Sequence, residues 1–300
     1  MKTPCPVLLL LGMLVSATAL GQSVSSATLD DDFSKENDLS GWTWLHDTEG
    51  WPDKVRKKEW KDGVLHLDMG TSGWFADKNA PLLYKEIRGD FDVRARIRAT
   101  GLNGALPATA WSLGGLMVRV PKPSGKERWK PREENWLFMT TGVAEEPGKP
   151  VIETKYTINS QSHLKLRDAK AEWITLRITR VGSAFILSYR YDKDRSWTLR
   201  DRFHLVDWPP VLQVGLNGYT NSMAVPEEIL WGDPFRFNDG KFDHLGKPDF
   251  RLSVDFVRFG KPAVNYDAAD PARQWLNSVY ANRLVDYSMS NDEVLKSIGE

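Results

Sequence analysis

Phe91-Asp92-Val93-Arg94-Ala95-Arg96-Ile97-Arg98 alternates without a break, apolar at odd positions and charged at even ones. A period of two puts every second side chain on one face, so the segment reads as a strand with one buried and one wetted face, as in antiparallel sheets. Trp173-Ile174-Thr175-Leu176-Arg177-Ile178-Thr179-Arg180 repeats the pattern, with Ile174, Leu176 and Ile178 directed inward. Phe185, Leu187, Tyr189 and Tyr191 form a third set, and Leu252, Val254 and Phe256 a fourth. Turn signals punctuate these runs. Lys61-Asp62-Gly63 separates residues 55–60 from 64–69 as a hairpin with Asp-Gly at its turn, and Arg180-Val181-Gly182-Ser183 joins the second and third sets as another. About a dozen short strands are expected between Leu29 and Phe259, the spacing of an all-β, two-sheet antiparallel sandwich.

Three stretches break the rhythm. Residues 121–133 are polar and proline-rich and carry Trp129; residues 221–248 form a long connection containing Trp231. Long connections of this kind often serve as binding or lid elements. After Gly260 the pattern turns helical. Residues 270–280 read as a helix N-capped by Asp270 with Pro271 at its first position, and residues 290–298 as a second, short one.

The N-terminus sets the expected compartment. Lys2, the apolar run 7–15 and the small residues Ala19 and Gly21 around Leu20 make a cleavable signal peptide, cut after Gly21, and thus a secreted or periplasmic protein. The expected organisation is a signal peptide over residues 1–21, a sandwich over 22–262 and a helical tail over 263–300. The apolar run is about half of what a bilayer-spanning helix needs, so no membrane anchor is expected. Cys5, the one cysteine, lies in the leader. A mature chain without cysteine holds no disulfide and no thiolate site, and relies on its core. Lys and Arg number 40 against 40 Asp and Glu. That balance argues against a nucleic-acid partner, whose footprint is a strong basic excess.

Several blocks occur in a recognisable order: Gly73-Trp74-Phe75-Ala76-Asp77, then Arg88-Gly89-Asp90-Phe91, Gly114-Gly115-Leu116-Met117-Val118-Arg119 and Asn135-Trp136-Leu137, then Trp173-Ile174-Thr175-Leu176, and last Val254-Asp255-Phe256-Val257-Arg258-Phe259. This order, over residues 29–262, resembles a bacterial domain family of unassigned function in the concanavalin A-like lectin/glucanase superfamily. It also resembles the C-terminal accessory domain of β-xylosidases. The resemblance implies a jelly roll of two curved sheets with a concave face that relatives often use for carbohydrate. It carries no catalytic mechanism, because the superfamily mixes lectins, enzymes and spacers.

The superfamily's glucanase motif Glu-x-Asp-x-x-Glu, which would set two carboxylates about 5–5.5 Å apart for retaining hydrolysis, is absent. Glu153 is the nearest candidate, but Lys155 and Thr157 hold the next positions on its face. The acidic pairs Glu133-Glu134, Glu145-Glu146 and Glu227-Glu228 read as solvated, and Asp207 and Asp233 have only their nearness to Trp208 and Trp231 to recommend them. The five histidines lack metal-ligand spacing, and His66 reads as a strand surface residue. Structural calcium remains open, with Asp32 and Asp255 as ligands, because sandwiches of this superfamily often hold one near their terminal strands.

Thirteen tryptophans stand out. A flat indole covers the C–H face of a pyranose while polar neighbours bond its hydroxyls. Trp60, Trp111 and Trp173 fit strand patterns and are expected in the core. Trp42, Trp44, Trp51, Trp74, Trp129 and Trp231 lie in loops or at strand ends, and Trp74, Trp129, Trp51 and Trp231 are expected to frame a sugar site. Arg94, Arg96 and Arg98 form a stripe that suits carboxylated or sulfated glycans if it faces the cleft, or a solvated face if Asp and Glu neutralise it. The leading expectation is non-catalytic recognition of a glycan. A glycoside hydrolase or lyase with an unrecognised acid/base site, and a structural or interaction domain with no sugar ligand, stay open; the oligomeric state is not readable.

Overall fold

The strand sequence folds into two facing antiparallel sheets. The computed structural model describes residues 29–36, 38–264 and 282–299. The expected signal peptide and the helix expected over residues 270–280 lie outside these. Sheet I has the order β1 (Thr43–Trp44), β5 (Leu82–Arg88), β14 (Val211–Asn221), β7 (Ser112–Arg119), β8 (Trp136–Val143), β9 (Pro150–Ile158) and β10 (Gln161–Asp168), with the short β4 (Thr71–Ser72) parallel to the end of β14. Sheet II has the order β13 (Thr198–His204), β12 (Ala184–Tyr191), β11 (Ile174–Val181), β6 (Phe91–Thr100), β15 (Arg251–Gly260), β3 (Val64–Met69) and β2 (Val55–Lys61).

The expected inward faces meet between the sheets. Val93, Ala95 and Ile97 from β6 and Ile174, Leu176 and Ile178 from β11 pack against Leu116, Val118, Leu137, Met139 and Ile152 from sheet I. Each aliphatic side chain buried here contributes about 1.5–3 kcal/mol of hydrophobic stabilisation. The fourth alternating set holds only in part. A β-bulge between Val254 and Phe256 shifts the register of β15, so Val257 and Phe259 turn inward and Phe256 does not.

Local turn chemistry works as the sequence implies. Asp62 (φ 54°) and Gly63 (φ 73°) are both left-handed, the type I′ turn whose twist matches a two-residue hairpin. Asn159 (φ 48°) and Ser160 (φ 63°) make the same turn between β9 and β10 with no glycine.

Two expectations about outer faces fail. All eight residues of β11 are buried, Thr175, Arg177 and Thr179 included. The C-terminal segment lies over them: Leu284, Val294, Leu295 and Ile298 pack on Val181, Ala184, Ile186 and Trp197. The Arg177 guanidinium also donates to the Ile298 carbonyl at 2.8 Å. The short helix Asn291–Ser297 has a complete capping box at Ser290 and Glu293, inside the span expected for it. Sheet I is likewise apolar on both faces. Leu82, Tyr84, Leu113, Met117, Trp136, Phe138, Val151 and Tyr219 form a second buried cluster on the side away from sheet II.

The connection 221–248 is structured. It contains α2 (Glu227–Leu230) and α3 (Pro234–Asp239), α3 being N-capped by Asp233 with Pro at its first position. Val225, Ile229, Leu230, Phe237 and Phe242 give it a small core with Phe75 against it. Among the described residues no helix is long and apolar enough to cross a membrane.

Candidate functional site

Strand register lays out the outer face of sheet I in rows. One row runs Leu82, Asn217, Gly115, Thr140, Glu153, Leu166; the next runs Tyr84, Gly215, Met117, Phe138, Lys155, Leu164. A third ends Arg119, Trp136, Thr157, Ser162, and a fourth begins Tyr219, Leu113, Gly142. Apolar rings thus surround a short polar tract centred on Glu153 and Lys155.

Loops from distant parts of the chain cover part of this face. Lys54 Nζ donates to the Phe237 carbonyl at 3.0 Å, and Asn238 bonds the backbone of Asp77 and Asn79, which fastens the 221–248 insertion to the loop after β4. The 121–135 loop closes the opposite end over a buried ionic group. Arg119 grips Glu134 through two bonds of 2.9 Å, reaches Glu49 at 2.7 Å and donates to Gln213 at 2.8 Å, while Lys122 joins Glu134 at 2.8 Å. Burial alone would raise the Glu134 carboxyl, but Arg119 and Lys122 outweigh it and hold it below the usual range. Two cations against two carboxylates, all buried, make a structural clamp with no acid to spare for catalysis.

Between these covers a cleft of about 400 Å³ stays open, a size suited to a small ligand. Phe75, Trp111, Trp231, Met223 and Leu164 line it together with the polar groups of Glu145, Lys155 and Tyr219. Trp231 is 62% exposed and its ring packs 5.7 Å from Phe75. Trp111 has φ 53°, a left-handed conformation that costs a bulky residue on the order of 1–3 kcal/mol. Its backbone N–H is held by the Ala144 carbonyl at 2.8 Å. Below the opening, the Tyr219 hydroxyl donates to Glu153, and Lys155 Nζ lies 3.6 Å from the other Glu153 oxygen. Burial first, then the Glu153 charge and hydrogen bond, hold the Tyr219 phenol well above its ordinary pKa. A phenol so firmly protonated cannot serve as a base near neutral pH.

The residues expected to bind sugar scatter. Trp231 lines the cleft. Trp74 lies in the cleft lining but offers no open face: it is 0% exposed and packed edge-on against Trp136 at 5.8 Å. Trp51 is buried too, its Nε1 donating to Glu49 at 3.1 Å, as are Trp42 and Trp44. Trp129 is half-buried against Phe235, away from the cleft lining. Conversely, Trp111, expected in the core, forms a cleft wall, and Trp173 is half-buried beneath Arg96 at 4.5 Å. Trp60 packs against the main core.

The arginine stripe lies on sheet II, not on this face, and is largely neutralised. Arg94 bonds Asp92 at 2.8 Å; Arg96 takes Asp192 through two bonds and Asp255 at 2.9 Å. Arg98 is half-buried with its Nε enclosed. The two carboxylates named for calcium each have a partner within the chain. Asp255 is held by Arg96, and Asp32 accepts the Ser34 N–H at 3.1 Å. Among the described residues no group of three or more His, Cys, Asp or Glu could hold a metal. Asp233 is spent as a helix cap, and Trp208 packs on Phe185. Sequence reasoning missed Phe75, Trp111, Tyr219 and Lys155; the polar and aromatic outward set Gln213, Asn217 and Tyr219 on β14 was the available signal.

The fold recurs in solved structures. A functionally unknown protein from Saccharomyces cerevisiae superposes with TM-score 0.51 at 14% identity, covering 75% of this chain and 98% of that one. The fold is a concanavalin A-like jelly roll. A xylan β-1,4-xylosidase from Bacillus halodurans matches the jelly roll with TM-score 0.50 at 11% identity over 77% of this chain, and a GH43 protein from Bacillus licheniformis with 0.51 at 12% over 77%. The jelly roll spans only 39% of each of those longer chains. The sequence matches no family model, and no curated protein is significantly similar to it.

Proposed function

We propose that this protein is an exported carbohydrate-recognition sandwich that holds a glycan, without cleaving it, in the cleft between Trp111 and Trp231. The observation that carries the reading is the cleft itself: the exposed Trp231 ring and the half-buried Phe75 and Trp111 rings line one opening with polar groups on the sheet, a combination that suits a pyranose with one apolar face and a hydroxylated edge. The likeness to a xylosidase named for xylan supports a glycan as the ligand class. The chemistry beneath the cleft supports binding over hydrolysis, because Glu153 is engaged by Tyr219 and Lys155 and the phenol keeps its proton. Secretion follows from the N-terminal signal, with Gln22 as the first mature residue.

A glycan array with the mature protein, followed by titration of retained oligosaccharides, tests the reading. Trp231→Ala and Trp111→Ala are expected to weaken binding by about 1–2 kcal/mol, ten-fold or more, through loss of stacking area. Trp129→Ala, outside the cleft, is expected to bind as wild type. An array on which nothing is retained, or equal binding by the cleft variants, defeats the proposal.

A further inference from the structure

The cleft contains a cation whose hydrogen-bonding capacity the protein leaves unused. Lys155 is 6% exposed, yet it lines the opening. Its Nζ sits 5.8 Å from the Phe75 ring centre and 6.0 Å from that of Trp111. Glu153 Oε1, at 3.6 Å and without a hydrogen-bond donor of its own, balances the charge from behind but lies beyond hydrogen-bond distance; the Tyr219 hydroxyl and Thr140, at 3.3 Å, bond the other oxygen, Oε2. A second ammonium, Lys78 Nζ, lies 4.3 Å over the Phe75 ring and adds positive potential there. A buried ammonium with idle donors favours an acceptor from the ligand, and an ionised acceptor makes the stronger, charge-assisted bond.

We propose that Lys155 is the specificity-determining residue of the cleft and that it selects glycans bearing a carboxylate on the stacked sugar, as in uronic acids. This rests on the carbohydrate reading and narrows it. With the rings covering the sugar's C–H face, the carboxylate meets the Lys155 ammonium at the base of the cleft. A site built around a buried polar group discriminates strongly against an analogue that leaves the group unpaired. The neutral counterpart of the same sugar therefore stacks on the rings but leaves Lys155 unanswered.

The test compares a uronic-acid oligosaccharide with the same oligosaccharide after reduction of its carboxyl groups to alcohols, by calorimetric titration of the mature protein. Wild type is expected to prefer the carboxylated form at least ten-fold, with the preference shrinking in high salt. Lys155→Gln, which keeps a donor without the charge, is expected to bring the two affinities within about three-fold and to keep binding of the reduced form. Lys155→Met controls for the loss of all donors, and far-ultraviolet circular dichroism confirms that each variant folds. Equal affinity of wild type for the two forms, or a preference that survives in both variants, overturns the assignment while leaving glycan binding standing. Binding of neither form, with no glycan retained on the array, overturns the carbohydrate reading itself.

Discussion

Lys54 joins strand β2 to the insertion that walls the cleft. It is buried, its Nζ donates to the Phe237 carbonyl, and it lies 5.1 Å from that ring. Burial lowers its pKa from 10.5 to about 7, against an opposing pull from Asp239 and Asp243. Between about pH 7 and 10.5 the unfolded chain therefore carries a proton here that the folded chain has lost, so folding stability rises with pH through this window. Below about 7 both states are protonated and the cost of burying the charge is fully present. Lys54→Met is expected to flatten this part of the pH–stability curve and to gain stability at pH 6, measured by urea unfolding; a slope unchanged from wild type contradicts it. Neither this burial nor that of Trp74 was legible in the sequence. Lysine beside a strand reads as surface and tryptophan beside glycine reads as loop, yet Lys54 is held by the 221–248 segment and Trp74 packs on Trp136, both of which come much later in the chain.

At the scale of elements, the strands and their turns were readable and their coverings were not. Alternation placed Val93, Ile97, Leu176 and Ile178 correctly because a strand's two faces are a local property. The same alternation called Arg177 and Thr179 wetted, and both are buried, Arg177 against the C-terminal Ile298 and Thr179 against Asp92. That segment acts as a strap across β11 and β12. Removing residues 263–300 is expected to expose Val181, Ala184, Ile186 and Trp197 and to take from Arg177 its Ile298 acceptor. Returning buried aliphatic side chains to water costs about 1.5–3 kcal/mol each for the larger ones. The truncated protein should melt several degrees lower and bind a hydrophobic dye; full thermal stability with no dye binding would show the strap to be dispensable. Glycan binding should persist below the melting transition, because the cleft lies on the other sheet.

The sequence has one cysteine, Cys5, so no disulfide can form within the chain and its stability rests on packing and on buried polar clamps such as the Arg119–Glu134–Glu49–Lys122 group. The thermal midpoint of the mature protein is expected to be the same with and without a thiol reductant. A reductant-dependent shift would indicate a retained Cys5 and hence an uncleaved leader. By itself the sequence determined the two-sheet antiparallel class, the principal inward-facing residues and the tight hairpin at Asp62-Gly63, since these follow from a period of two and from turn conformations that only a few residues adopt. Only the tertiary structure decided which tryptophans meet solvent, which charges are neutralised and where a cleft remains. Those depend on segments far apart in the chain settling on the outer faces of the sheets, and no local periodicity records what will cover a strand.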